Sequence, residues 1–224
     1  MPATPTAPDQ DALRTGAAKL GVVIDDEVVG KLLNYLSLLR RWNATFNLTA
    51  VRDPQAMLVQ HLLDCLAILP SLGHRLPRGG RVLDVGSGGG LPGVPIAAVM
   101  PEVEVTCVET VGKKAAFIRQ VAGAMAMPNL HAVHARVEAL DAGAFDVITA
   151  RAFATLGELT RLTGHHLASA GAWMAMKGRV PDEEIRALPG TIDVFHVEQL
   201  SIPGLDAQRC LVWMRQRPSA EAAH

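Results

Sequence analysis

The sequence predicts an α/β protein: a doubly wound sheet of seven strands, closed by an antiparallel hairpin and preceded by a helical cap. Three observations carry this. From residue 79 onward, short apolar strands alternate with helical stretches, the signature of a parallel sheet covered on both faces. The first of these strands runs into a turn with four glycines in five positions, Gly86 and Gly88 to Gly90. The last two apolar runs are joined by a loop too short for a helical crossover, which suits antiparallel pairing.

The elements follow in chain order. Residues 1–10 read as a flexible tail and 11–78 as the cap. In the cap, Val28, Val29, Leu32, Tyr35, Leu36, Leu39 and Trp42 recur at helical spacing between Asp25 and Trp42. A loop rich in Asn and Thr follows. A second helix then starts sharply, with Asp53 at the N-cap and Pro54 at the first helical position. Its buried stripe is Met57, Leu58, His61, Leu62, Cys65, Leu66 and Leu69. Leu76 to Gly80 reads as the hinge into the sheet unit, residues 79–217. Strands are predicted at Arg81–Val85, Val103–Val108, Leu130–His134, Phe145–Thr149 and Gly171–Met176, with helices at Pro92–Met100, Gly112–Ala126 and Leu156–Ala168. Thr191–Leu200 and Gln208–Gln216 form the hairpin, and 218–224 a second tail.

Composition narrows the function classes. The 224 residues are 49% hydrophobic, enough for a core, and 21 Lys and Arg against 22 Asp and Glu give a formal charge of −1. Binding nucleic acid by bulk charge is therefore disfavoured, though a local basic patch is compatible. Cys65, Cys107 and Cys210 are odd in number and far apart, which fits a reducing compartment and no metal-ligand set. The best apolar run, Leu62 to Pro70, is short for a membrane span and carries Asp64. The N-terminus lacks a basic and apolar leader pattern. A soluble, cytoplasmic, monomeric protein is the expectation.

The chemical signal is densest at Asp84-Val-Gly-Ser-Gly-Gly-Gly-Leu-Pro-Gly93, which leaves a strand and enters a helix. Gly88, Gly90 and Gly93 satisfy the dinucleotide pattern GxGxxG, and Glu109 stands where a ribose-binding acid is expected. Asp84, two residues before the first glycine, argues for another cofactor. A carboxylate there repels a pyrophosphate but tolerates the ammonium and sulfonium of S-adenosylmethionine. It can equally hydrogen-bond the turn amides. Glu109 suits both cofactors, or caps the next helix.

These residues, taken together, resemble one family. The matching pieces are Trp42-Asn43 with Phe46-Asn-Leu-Thr49, Val51-Arg-Asp53, His61-Leu-Leu-Asp64, the turn through Gly93, Lys113-Lys114 with Phe117, and Arg136-Val-Glu138. Ala150-Arg-Ala-Phe153, Lys177-Gly178 and Glu183-Glu-Ile185 complete the series in order. The chain resembles the small-subunit ribosomal RNA guanine-N7 methyltransferases, the glucose-inhibited division protein B family. Gly89, where many relatives carry proline, and Glu109-Thr-Val are small departures. The resemblance implies a Rossmann-like class I methyltransferase using S-adenosylmethionine on a guanine N7 in a 16S ribosomal RNA loop. It implies a cofactor site including Gly86, Leu91, Val137, Glu138 and Arg151, to which the turn itself adds Asp84, Gly88 and Glu109.

Guanine N7 carries a lone pair and no proton, so that transfer needs positioning and no general base. The lack of a Cys or His–acid constellation agrees with this. Arg151, ending the fourth strand, is the expected positioning residue, in preference to a plain salt bridge. Phe153 stacks on the guanine or joins the core. Candidate RNA contacts are Arg40, Arg41, Asn43, Asn47, Arg52, Lys113, Lys114 and Lys177, with a solvated helix face as the alternative for the basic residues and bracing of the cap loop as the alternative for Asn43 and Asn47. His61 and Asp64, one helical turn apart, can pair, but without a third ligand they make no metal site. A methyltransferase of another RNA or a small molecule stays open, as does a non-catalytic module that keeps the turn as structure.

Overall fold

The computed structural model describes residues 7–217. Ala7 to Gln10 lie in the first turn of helix α1 (Ala7–Lys19), which corrects the expectation of a tail over 1–10. Its remainder, 1–6, and the tail over 218–224 lie outside the described residues. Helix α2 (Asp26–Phe46) is capped by Asp25, whose side chain accepts from the Val28 amide, and ends at Asn47 in the left-handed conformation. α3 (Pro54–Met57) starts under the predicted Asp53 cap. A π turn over Leu58–Leu63 separates it from α4 (Asp64–Leu66), and α5 (Leu69–Arg75) closes the cap. α5 fills the stretch before the expected hinge.

Within Pro54–Arg75, an 18-residue stretch has a mean hydropathy of 1.5 and is long and apolar enough, by length and composition alone, to cross a membrane. This corrects the expectation that no run reaches that length. In this fold 72% of it is buried inside the protein, where it touches α1 and α6.

Seven strands follow: β1 (Gly80–Val85), β2 (Val103–Glu109), β3 (Leu130–His134), β4 (Phe145–Arg151), β5 (Leu167–Lys177), β6 (Ile192–Leu200) and β7 (Arg209–Gln216). Their order is β3-β2-β1-β4-β5-β7-β6. β1 to β5 pair in parallel, and β7 is antiparallel to both β5 and β6, as the short connection requires. Helices α6 (Gly93–Val99), α7 (Gly112–Ala124), α8 (Leu156–Thr163) and the short α9 (Asp182–Arg186) fill the connections. The predicted helix after β4 ends early, because β5 begins at Leu167 and not at Gly171.

Alternation along the strands divides the core. Val82, Val147 and Met174 face the cap, α6 and α7, whereas Leu83, Ile148 and Trp173 face α8. One apolar cluster thus runs from Leu13 and Leu32 in the cap through to Trp213 in the sheet. The cap is built onto a sheet face that would otherwise be exposed apolar surface.

Candidate functional site

The glycine turn is held from below. Asp84 is fully buried, and its Oδ2 accepts from the Gly93 amide at 2.9 Å while Oδ1 has no partner among the described residues. Burial pushes its carboxyl up to about 6, against the opposing pull of the Gly93 bond. Any side chain at Gly93 would put its Cβ 2.4 Å from Cys107 Sγ, so glycine lets α6 start this close to β2. Gly86 has φ +67°, and a Cβ there would meet Phe153 Cδ2 at 2.8 Å. Beside the turn, Glu109 accepts from the amides of Gly88 and Val111, each at 2.9 Å. It therefore braces the turn and the start of α7.

Above the turn lies a cavity of about 430 Å³. Its floor is Gly86 to Gly89 with Leu91, at the carboxyl end of β1, where doubly wound sheets bind ligands. The cap supplies one wall through Leu39, Leu48, Thr49, Gln60, His61 and Asp64; Arg151, Lys177 and Arg209 stand on the other. Asp64 is the electrostatic centre. Nearly fully buried, it accepts from Arg151 Nη1 at 3.2 Å and from Arg209 Nε at 2.8 Å. Arg151 also donates to the Gln60 carbonyl at 3.0 Å. The salt-bridge reading of Arg151 is thus realised, by a side chain that also lines the cavity wall. Asp64 does not bond His61: the expected pairing is replaced by Asp64 with two arginines and by His61 Nε2 with Thr49 Oγ1 at 2.9 Å. Burial holds the His61 imidazole down at about 4, so it is neutral near pH 7. The π turn precedes Asp64 and carries His61, which fits the frequent use of such turns at sites.

The structure sorts the remaining candidates. Gly86, Gly88, Leu91, Arg151 and Lys177 line the cavity. Asp84 supports it from beneath, with Oδ2 on the Gly93 amide and Oδ1 without a partner among the described residues. Val137 is buried against α8, and exposed Glu138 faces Arg136 at 3.6 Å; neither lines the cavity. Lys177 Nζ donates to Glu184 Oε2 at 2.9 Å and to the Ala154 carbonyl at 3.0 Å, a latch that the phosphate expectation did not contain. Phe153 is 37% exposed over Gly86, which removes it from the core. Asn43 is buried and accepts from the Thr49 amide at 2.9 Å, and Asn47 accepts from Arg52 at 3.3 Å, so both brace the cap loop. Arg40, Arg41, Lys113 and Lys114 carry no ion pair among the described residues. Sequence reasoning missed Arg209, Gln60 and Glu184. For Glu184 a signal existed in the Glu183-Glu-Ile185 match; Arg209 opens a strand with no motif around it.

A family model described as rRNA small subunit methyltransferase G matches residues 29–212, from α2 to β7. The chain belongs to that family. Individual relatives match over nearly the whole chain: the ribosomal RNA small subunit methyltransferase G of Leptothrix cholodnii is 57% identical over 96% of this chain and 99% of its own length. The protein of that name from Acidovorax ebreus is 54% identical over 92% and 95%. Solved structures share the fold at low identity. TrmN from Thermus thermophilus aligns with a TM-score of 0.54 at 17% identity, covering 71% of this chain and 53% of that one. The 1,6-didemethyltoxoflavin-N1-methyltransferase of Burkholderia thailandensis, solved with S-adenosylhomocysteine, aligns at 0.57 and 15% over 83% and 90%. The residues fit S-adenosylmethionine. The turn is open above Gly88, where a Cβ would approach only the Gly86 carbonyl oxygen at 4.0 Å. Its flanking charges are the carboxylates Asp84 and Glu109, which suit a cationic donor and oppose a pyrophosphate.

Proposed function

We propose that this member of the family transfers the methyl group of S-adenosylmethionine to N7 of a guanine in a 16S rRNA loop. The observation that carries it is the cavity itself: a glycine-rich turn for the donor faces a cap wall and two arginines clamped on Asp64. The donor, when bound, supplies a methyl group on a positively charged sulfur. The protein's residues then have no proton to remove, because N7 already offers its lone pair. Their work is to orient and to exclude water. Gly86, Gly88 and Leu91 hold the donor, with Glu109 on the ribose side and Val137 and Glu138 toward the adenine. Arg151, fixed by Asp64 and Gln60, positions the reacting base, and Phe153 offers a ring at the mouth. Arg40, Arg41, Asn47, Arg52, Lys113, Lys114 and Lys177 take the surrounding RNA; Asn43 acts by bracing the loop.

In this reading the cap, 11–78, and the sheet unit, 79–217, form the two sides of one pocket. The protein works as a cytoplasmic monomer on the small subunit or its assembly intermediate, without a membrane or a metal. Calorimetric titration with S-adenosylmethionine, followed by mass mapping of 16S rRNA from cells with and without the gene, tests it. The wild type binds the donor and the N7-methylguanine inventory loses one site in the deletion. Gly86→Val and Arg151→Ala remain folded and do not methylate. An unchanged inventory removes the substrate assignment, and absent donor binding removes the enzyme.

A further inference from the structure

The net charge of −1 conceals a division along the chain. Residues 28–52 contain Lys31, Arg40, Arg41 and Arg52 with no Asp or Glu, and residues 110–137 contain Lys113, Lys114, Arg119 and Arg136 with none. Eight of the 21 basic residues thus fall where none of the 22 acids do, leaving 13 against 22 elsewhere. Among the described residues only Lys31 and Arg136 of these eight have an acidic partner, Glu27 and Glu138. The fold brings the two segments together. α2 packs on α7 through Phe117, whose ring lies 6.1 Å from Tyr35 and 5.5 Å from Trp42.

Between these helices, on the surface, is a cleft of about 210 Å³ lined by Leu38, Arg41, Trp42, Thr45, Phe46 and Gln120. Phe46 is 37% exposed, its ring 5.1 Å from Trp42, and Lys113 Nζ lies 5.7 Å from its centroid. Two residues further along the chain, Leu48 and then Thr49 line the main cavity. The end of α2 thus lines the cleft, and the loop that follows it lines part of the main cavity wall.

We propose that the α2–α7 cleft is a second nucleobase site, which takes an unpaired base of the same RNA strand whose guanine enters the main cavity. This rests on the function proposed above and adds a place outside the donor pocket where the RNA is gripped. The base stacks on the Phe46 and Trp42 edge, a contact that needs no particular sequence. Thr45 and the Gln120 amide face its edge, while Arg41 and Lys113, neither in an ion pair among the described residues, neutralise adjacent phosphates. An exposed aromatic edge beside unpaired basic side chains suits unpaired nucleic acid.

The test is binding of deproteinised 16S rRNA to the full chain and to Phe46→Ala, Phe46→Leu and Phe46→Trp, with S-adenosylmethionine titrated in parallel. Phe46 is exposed, so these variants keep the fold and the donor affinity. Alanine and leucine weaken RNA binding about tenfold, and tryptophan restores it, because stacking needs a ring and packing alone does not. In Arg41→Glu with Lys113→Glu, the slope of log affinity against log salt falls by about 2. Equal affinity across the Phe46 series, or rescue by leucine, overturns the proposal. If the wild type methylates rRNA while the series stays flat, only the cleft is lost. If the wild type neither binds the donor nor methylates, the proposed function falls first.

Discussion

The Tyr35 hydroxyl donates to the Gly89 carbonyl at 2.8 Å, joining the cap to the glycine turn across 54 residues of chain. Tyr35 is fully buried and sits in the α2 stripe, so the bond is shielded from water. Removing it in Tyr35→Phe leaves a buried carbonyl without a donor. The expected cost is about 1–2 kcal/mol in urea unfolding. Donor affinity falls as well, since Gly89 forms part of the cavity floor; calorimetry on the folded variant reads this, and an unchanged affinity shows that the bond is only structural.

Asp64 holds two arginines whose side chains are 23% and 27% exposed, while its own is 3% exposed. Asp64→Asn keeps the volume and removes the charge that both guanidinium groups face. Because the arginines keep some solvent, the loss lies at the low end for a buried pair, about 3 kcal/mol. Methylation should fall further than donor affinity, as Arg151 loses its anchor. Equal losses in the two would place Asp64 in stability alone.

Two buried groups tilt the pH dependence in opposite directions. Burial raises the Asp84 carboxyl from its ordinary 3.8 to about 6 in the fold. The native state then holds more protons than the unfolded chain between those values, so this contribution is present at low pH and is lost as pH rises through about 6. Burial lowers His61 from 6.5 to about 4, so its contribution is present above 6.5 and is lost as pH falls through about 4. Each is worth about 3 kcal/mol over its window. Relative to wild type, Asp84→Asn should gain stability as pH rises from 4 to 6, and His61→Gln should gain as pH falls over the same range. Denaturant titrations across that range check both; parallel curves for variant and wild type contradict the assignment.

Gly86→Ala combines two costs, a left-handed backbone at φ +67° and a Cβ 2.8 Å from the Phe153 ring. The backbone cost is about 1–2 kcal/mol. The Phe153 ring must move off the turn, so the variant should lose more activity on RNA than stability. A variant with wild-type turnover on rRNA would detach Phe153 from the reaction.

Much of this was legible because it is local. Asp53 with Pro54, the glycine turn after Val85 and the short β6–β7 connection each obey a rule that spans a few residues, and each is found in place. What escaped depends on distance. Asp64 reads as a partner for His61 when only helical spacing is considered; the fold instead delivers Arg151 and Arg209 from the sheet, and a buried carboxylate takes charged donors over a neutral imidazole. Lys177 reads as a phosphate ligand until α9 brings Glu184 to it. α1 carries no long apolar stripe to announce it, since it buries only Leu13, Gly16 and Ala17.

The bond between Asp64 and Arg209 spans 145 residues and joins the middle of the cap to the start of the last strand. Synthesis from the N-terminus makes the acid first and its second cation 145 residues later. Until β7 has left the ribosome, the cavity wall lacks one of its two arginines and the sheet lacks the strand between β5 and β6. An unfinished chain is therefore an unfinished site: the wall is complete only once β7 has paired with β5 and brought Arg209 to Asp64.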